Sequence, residues 1–151
     1  MTELKPILIL FPFLWIAIVF GISFFYRKKK GIVFPNFDYK KHDFYEKKAS
    51  GSSNKNFFTR IGGARNCLNV AVADKTLYVF PMFPFNLMFL PEIYNLEHTI
   101  PLDKIKGVEF KKEILVSSIE IIFNKNEQNH SIKLRLKKYE EFLGVLQSFC
   151  I

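Results

Sequence analysis

The chain is poor in the residues that mark most metal sites, redox sites and disulfide-built domains. Its two cysteines, Cys67 and Cys150, form no CxxC pair and are too few for a disulfide framework. They read as free thiols of a reducing compartment, or as a single disulfide if the two meet in an oxidising one. His42, His98 and His130 stand alone, with no HxH or HExxH pattern and no cysteine at metal spacing, so neither a metal nor another cofactor is expected. Ile61-Gly62-Gly63-Ala64-Arg65 has two glycines but no GxGxxG or GxxxxGK[ST] frame, and reads as a bulge or tight turn. Arg60 and Arg65 flank it as cations able to meet an anion. With no catalytic motif in view, the expectation is a non-enzymatic protein.

A different absence is more informative. From Pro6 to Tyr26 there is no charged residue at all, and the run is built from Ile, Leu, Val, Phe and the only tryptophan, Trp15. As a helix, 21 such residues rise about 31 Å, which matches a bilayer hydrocarbon core of about 30 Å. The run is longer than a signal-peptide apolar core and ends in Phe24, Phe25 and Tyr26 rather than a small-residue cleavage site, so retention is expected. Pro12 and Gly21 are both tolerated in spanning helices.

The net charge of +8 is unevenly placed. Residues 1–26 balance Glu3 against Lys5. Residues 27–56 hold nine basic and three acidic residues, and residues 57–151 hold twelve and ten. Arg27, Lys28, Lys29, Lys30, Lys40 and Lys41 all follow the apolar run, which by the positive-inside rule puts the C-terminal part in the cytoplasm and points these cations at anionic headgroups. Charge stacked behind a spanning helix favours a membrane surface over nucleic acid as partner, and no nucleic acid is expected. Binding of nucleic acid through the basic stretch 27–56 stays open as an alternative.

The chain therefore divides into a lead (1–5), a transmembrane helix (6–26), a basic and aromatic juxtamembrane linker (27–56) and one β domain with a C-terminal helix (57–151). In the linker, Phe34, Phe37, Tyr39, Phe44 and Tyr45 alternate with lysines, as in interfacial segments, and Ala49 to Asn54 reads as a flexible turn. Beyond it, Leu68, Val70 and Val72 alternate as in a half-buried strand. Ala73-Asp74-Lys75 makes a turn into the strand Thr76–Phe80. Val108–Lys112, Val116–Asn124 and Ser131–Lys137 read as further strands, the last with Lys133, Arg135 and Lys137 as an outward basic row. Phe142, Leu143, Leu146 and Phe149 fall on one helical face behind Glu140 and Glu141. The expected class is α+β, mainly β: a bent antiparallel sheet or small barrel closed by a C-terminal helix.

Phe80 to Pro91 carries three prolines among large apolar residues, which argues against one central strand. Phe83, Phe85, Leu87 and Phe89 are candidates for an apolar loop touching the bilayer or another membrane protein. The competing reading is two short buried strands joined at Pro84-Phe85-Asn86. Glu92, Glu97 and Asp103 gather near His98, the one place for an acid/base pair or a small ligand in the sheet's cavity.

The order of elements resembles the pleckstrin-homology-like and GRAM-like superfamily, in its bacterial membrane-anchored form. The residues that carry the likeness are Leu68-x-Val70-x-Val72-x-Asp74-x-x-Leu77-x-Val79, Ile100-Pro101-Leu102-x-x-Ile105-x-x-Val108, Ile119-x-Ile121-x-Phe123 and the helix Phe142-x-x-x-Leu146. The resemblance implies a strongly bent sheet capped by a helix and a role as an interaction or scaffold module. The chain departs from it in having no tryptophan in that helix and no Lys-x-Arg pair in the Leu68–Val79 hairpin, so phosphoinositide binding is not implied.

Overall fold

The computed structural model describes residues 4–31, 41–55, 59, 63–87, 90–112, 117–125 and 128–149. Helix α1 covers Leu4–Lys29, and its segment Leu10–Lys29, of mean hydropathy 1.8, is long and apolar enough to cross a membrane. Leu10, Phe11, Phe13, Leu14 and Trp15 are each more than half exposed, so the described residues leave this part of the helix largely uncovered. In water such a face would be costly, because each large apolar side chain left uncovered forgoes about 1.5–3 kcal/mol of burial.

Seven strands follow: β1 (Phe44–Ser53), β2 (Ala64–Ala73), β3 (Thr76–Pro81), β4 (His98–Pro101), β5 (Ile105–Lys112), β6 (Ser117–Lys125) and β7 (Gln128–Arg135). A 3₁₀ turn, Phe85–Leu87, and a one-turn helix α2 (Leu90–Ile93) lie between β3 and β4; a second 3₁₀ turn, Leu102–Lys104, links β4 to β5; and helix α3 (Tyr139–Phe149) ends the fold. All pairings are antiparallel, in the order β4-β3-β2-β1-β7-β6-β5. Asp74 and Lys75, with φ of 48° and 56°, form the two-residue turn between β2 and β3; two left-handed residues in sequence match the right-handed twist of a hairpin.

The sheet is curled. β4 and β6 are five strand spacings apart, about 24 Å if the sheet were flat. Yet the ring of His98 on β4 lies 5.5 Å from that of Phe123 on β6. The main core takes Leu68, Val70 and Val72 from β2, Ile119, Ile121 and Phe123 from β6, Ile132 and Leu134 from β7, and Phe142 and Leu146 from α3.

The largest departure from the sequence reading is β1. Residues 44–53, assigned above to a linker with a flexible turn, form the central strand, paired with β2 on one side and β7 on the other. Two register shifts against β2 and a left-handed Lys48 (φ 60°) break the alternation that would have announced the strand. Its small residues are there for close packing. A Cβ on Gly51 would stand 2.9 Å from Leu134 Cδ2 and 3.0 Å from both Leu68 Cδ1 and the Lys133 carbonyl oxygen, so any larger residue between β2 and β7 would have to displace these neighbours. Buried Glu46 accepts hydrogen bonds from the Lys137 and Lys138 amides, both at 2.9 Å, and so ties β1 to the entrance of α3.

Candidate functional site at the helix and loop junction

Helix α1 packs against the Phe85–Leu87 turn. On the C-terminal part of the helix, Phe20, Ser23, Phe24 and Arg27 share the i, i+3, i+4, i+7 face, and all four are buried or half-buried. Arg27 is fully buried; its Nη2 donates to Glu97 Oε1, and its Nη1 stands 4.0 Å from Glu92 Oε1. Glu97 is partly withdrawn from water, and this burial raises its carboxyl above the usual range against the opposing pull of Arg27. A cation in the last turn also meets the negative end of the helix dipole.

This geometry revises one reading and sharpens another. Arg27, grouped by sequence with the headgroup cations, points into the domain, because two carboxylates of the segment before β4 receive it. Lys28, Lys29 and Lys30 are exposed at the helix end, with Lys30 Nζ 4.5 Å from the centre of the Tyr26 ring, and Lys41 is exposed as well. Lys40 lies outside the described residues. Trp15 is 61% exposed on the apolar face; Pro6 falls within α1.

The Phe80–Pro91 stretch is not a pair of strands. β3 stops at Pro81, Phe83 and Pro84 make a turn, and the 3₁₀ turn follows. Phe83 is 72% exposed and Phe85 41%, while Leu87 is half-buried. Phe89 lies outside the described residues. The loop therefore shows two bare phenylalanine rings beside the last turns of an apolar helix.

His98 sits elsewhere. Its ring is buried, with Nε2–H donating to the Asn95 carbonyl at 2.7 Å. Burial holds its pKa down to about 4. The space beside it is about 10 Å³, no larger than one water needs, and Leu68, Val79 and Leu96 form much of its wall. No group of His, Cys, Asp and Glu able to hold a metal occurs among the described residues. Cys67 is a free, half-buried thiol whose pKa burial pushes up, which fits packing better than nucleophilic work.

The buried imidazole has a consequence for stability. A folded-state pKa below the unfolded value of 6.5 means that the unfolded chain binds the proton first, so stability falls as pH drops from about 6.5 towards 4. Between pH 7.5 and 5, His98 alone is expected to cost about 2 kcal/mol. Chemical denaturation of the full chain in detergent checks this; a His98→Gln variant that shows the same pH slope as the parent would refute the assignment.

Comparison with protein-family models, with curated proteins and with solved structures gives no match for this chain.

Proposed function

We propose that the chain is a single-pass membrane protein whose curled β domain, of pleckstrin-homology-like type, is held at the cytoplasmic membrane face as a non-enzymatic interaction or scaffold module. The observation that carries this reading is the placement of exposed Phe83 and Phe85 on a loop packed against the last turns of an apolar helix. If α1 spans the bilayer, its cationic end lies at headgroup level. Rings beside that end then lie where aromatic side chains are most stable, with an apolar body in acyl chain and an edge among headgroups. The exposed lysines Lys28, Lys29 and Lys30 support the same depth and the cytoplasmic side. The antiparallel order of the sheet, its curl and the terminal helix support the type of domain.

A Trp15→Phe, Phe83→Trp protein in nanodiscs reads the depth of the loop. Lipids brominated near the headgroup are expected to quench most of its fluorescence, and a soluble quencher little. The reverse order would place the loop in water and remove the membrane-insertion reading. A cysteine at exposed Asp43, labelled by an impermeant maleimide only after cells are opened, reports the cytoplasmic side.

A further inference from the structure

Among the buried polar groups, His98 occupies the most exacting position. β4 turns its first and third residues, His98 and Ile100, into the core, so an imidazole stands where an apolar side chain would serve. Its Nε2–H is taken up by the Asn95 carbonyl, and its Nδ1 is buried with no hydrogen-bond partner among the described residues. The ring packs edge-on to Phe123, 5.5 Å between centres, and the space of about 10 Å³ beside it has Leu68, Val79 and Leu96 in its wall. The charged and titratable groups that act on it from the surrounding elements are Lys125 at the end of β6, His130 on β7 and Lys55 after β1, all of them basic. A proton added at Nδ1 would place a cation, and a donor without an acceptor, in an apolar cage ringed by bases. Such a ring is more stable in water.

What the ring holds in place is the junction with α1. Asn95, left-handed with φ of 49°, gives its carbonyl to the His98 ring, its amide to the Glu92 carbonyl at 3.3 Å and its Nδ2 to Ser53 Oγ at 2.9 Å. Glu97, the residue before His98, receives Arg27 from α1. Withdrawal of the ring removes the donor that fixes the Asn95 turn and displaces the neighbour of Glu97. Relief of a buried proton and loosening of the domain's grip on α1 are therefore one event.

We propose that His98 is an acid-operated release: protonation of its ring expels it from the core and frees the segment Glu92–Glu97 from Ser53 and Arg27 while the rest of the sheet stays folded. The release does not depend on α1 spanning a bilayer, because every contact it breaks lies within the chain. The closed state keeps the ring neutral down to about pH 4, whereas the released ring titrates near 6.5, so opening is favoured as pH falls through 6.5 and the gain is complete below about 4. Glu97 acts in the opposite sense: burial raises its carboxyl in the closed state, so acid protonates it there first and favours closure.

Hydrogen exchange of the full chain in nanodiscs at pH 7.5, 6 and 5, with intrinsic rates divided out and repeated in low urea, tests the release. Opening of the Glu92–His98 amides is expected to rise about 25-fold between pH 7.5 and 5 with little dependence on urea, while β6 amides keep the steep urea dependence of whole-domain unfolding. His98→Gln is expected to hold that opening within about threefold over the same range, and Glu97→Gln, which cannot titrate, is expected to keep the full response. Exchange of Glu92–His98 with the protection and urea dependence of β6 would mean that acid acts only through global unfolding, and would overturn the proposal. An equal pH response in His98→Gln and the parent would do the same. If His98→Gln fails to fold, Glu97→Gln decides: a flattened response there would assign the titration to the carboxylate and remove the role of the ring.

Discussion

Phe142→Ala is expected to remove about 3–5 kcal/mol from the stability of the β domain, the largest single loss foreseen for this chain. The ring is fully buried, its centre 5.0 Å from that of Phe44 on β1, and Leu146 follows it one turn later on the same face of α3. Truncation would empty the space between the terminal helix and the central strand. Collapse into that space is hindered, because the entrance of α3 is already fixed by the two hydrogen bonds from the Lys137 and Lys138 amides to Glu46. The cavity term should therefore be felt nearly in full. Half-buried Leu143, one residue on, serves as control, with an expected loss of about 1 kcal/mol. Urea denaturation of the full chain in detergent, followed by tyrosine fluorescence, measures both. A loss below about 1 kcal/mol for Phe142→Ala would mean that α3 does not hold the core together as described.

The second large effect concerns attachment rather than folding. Arg27→Ala leaves Glu97 partly buried with its main partner gone, and breaking a buried pair from one side costs about 3–5 kcal/mol. Because the Glu97 side chain keeps 24% of its exposure, water can reach it, and about 2–3 kcal/mol is the better expectation. That free energy opposes detachment of the β3–β4 connection from the helix. Hydrogen exchange of amides in Phe85–Leu87 and Glu92–Glu97, in nanodiscs, should therefore speed up by about 30-fold to 150-fold, while amides of β2 and β6 stay protected. Glu97→Ala in the Arg27→Ala background should restore part of the protection, since it removes the orphaned carboxylate. Strict additivity of the two substitutions would show that they do not act on each other.

The elements legible in the sequence are those where a regular hydrophobic period meets an ordinary environment. β2, β3, β6, β7 and α3 alternate or repeat as their burial requires, and each lies within a few residues of its expected place. β1 was hidden because, after Phe44, its inward residues Glu46, Ala49, Gly51 and Ser53 are small or polar. They suit a strand that must let Leu68 and Leu134 approach and must hold the start of α3. Sequence gives no sign of either demand, since the partners lie far along the chain. Arg27 was hidden for a related reason: among four consecutive cations, nothing local distinguishes the one whose helical face meets Glu92 and Glu97. The one local cue is position, for Arg27 lies four residues after Ser23 and seven after Phe20 on the packed face. The setting of His98 was legible only in part. Sequence puts Glu97 and His98 side by side as an acid and a base, but that the one meets Arg27 and the other turns into the core depends on where α1 packs and how the sheet curls.

The last consequence comes from β5, an edge of the sheet whose one ladder partner among the described residues is β6. An eight-residue edge strand is a template on which another chain can pair. This one carries Lys106, Lys111 and Lys112, all exposed, and Lys111 bridges to Glu120 on β6. Proteins confined to a membrane diffuse in two dimensions with their domains at one height, so copies meet edge to edge far more often than they would in solution. If the chain is anchored as proposed, the exposed lysines of β5 act against such edge-to-edge pairing.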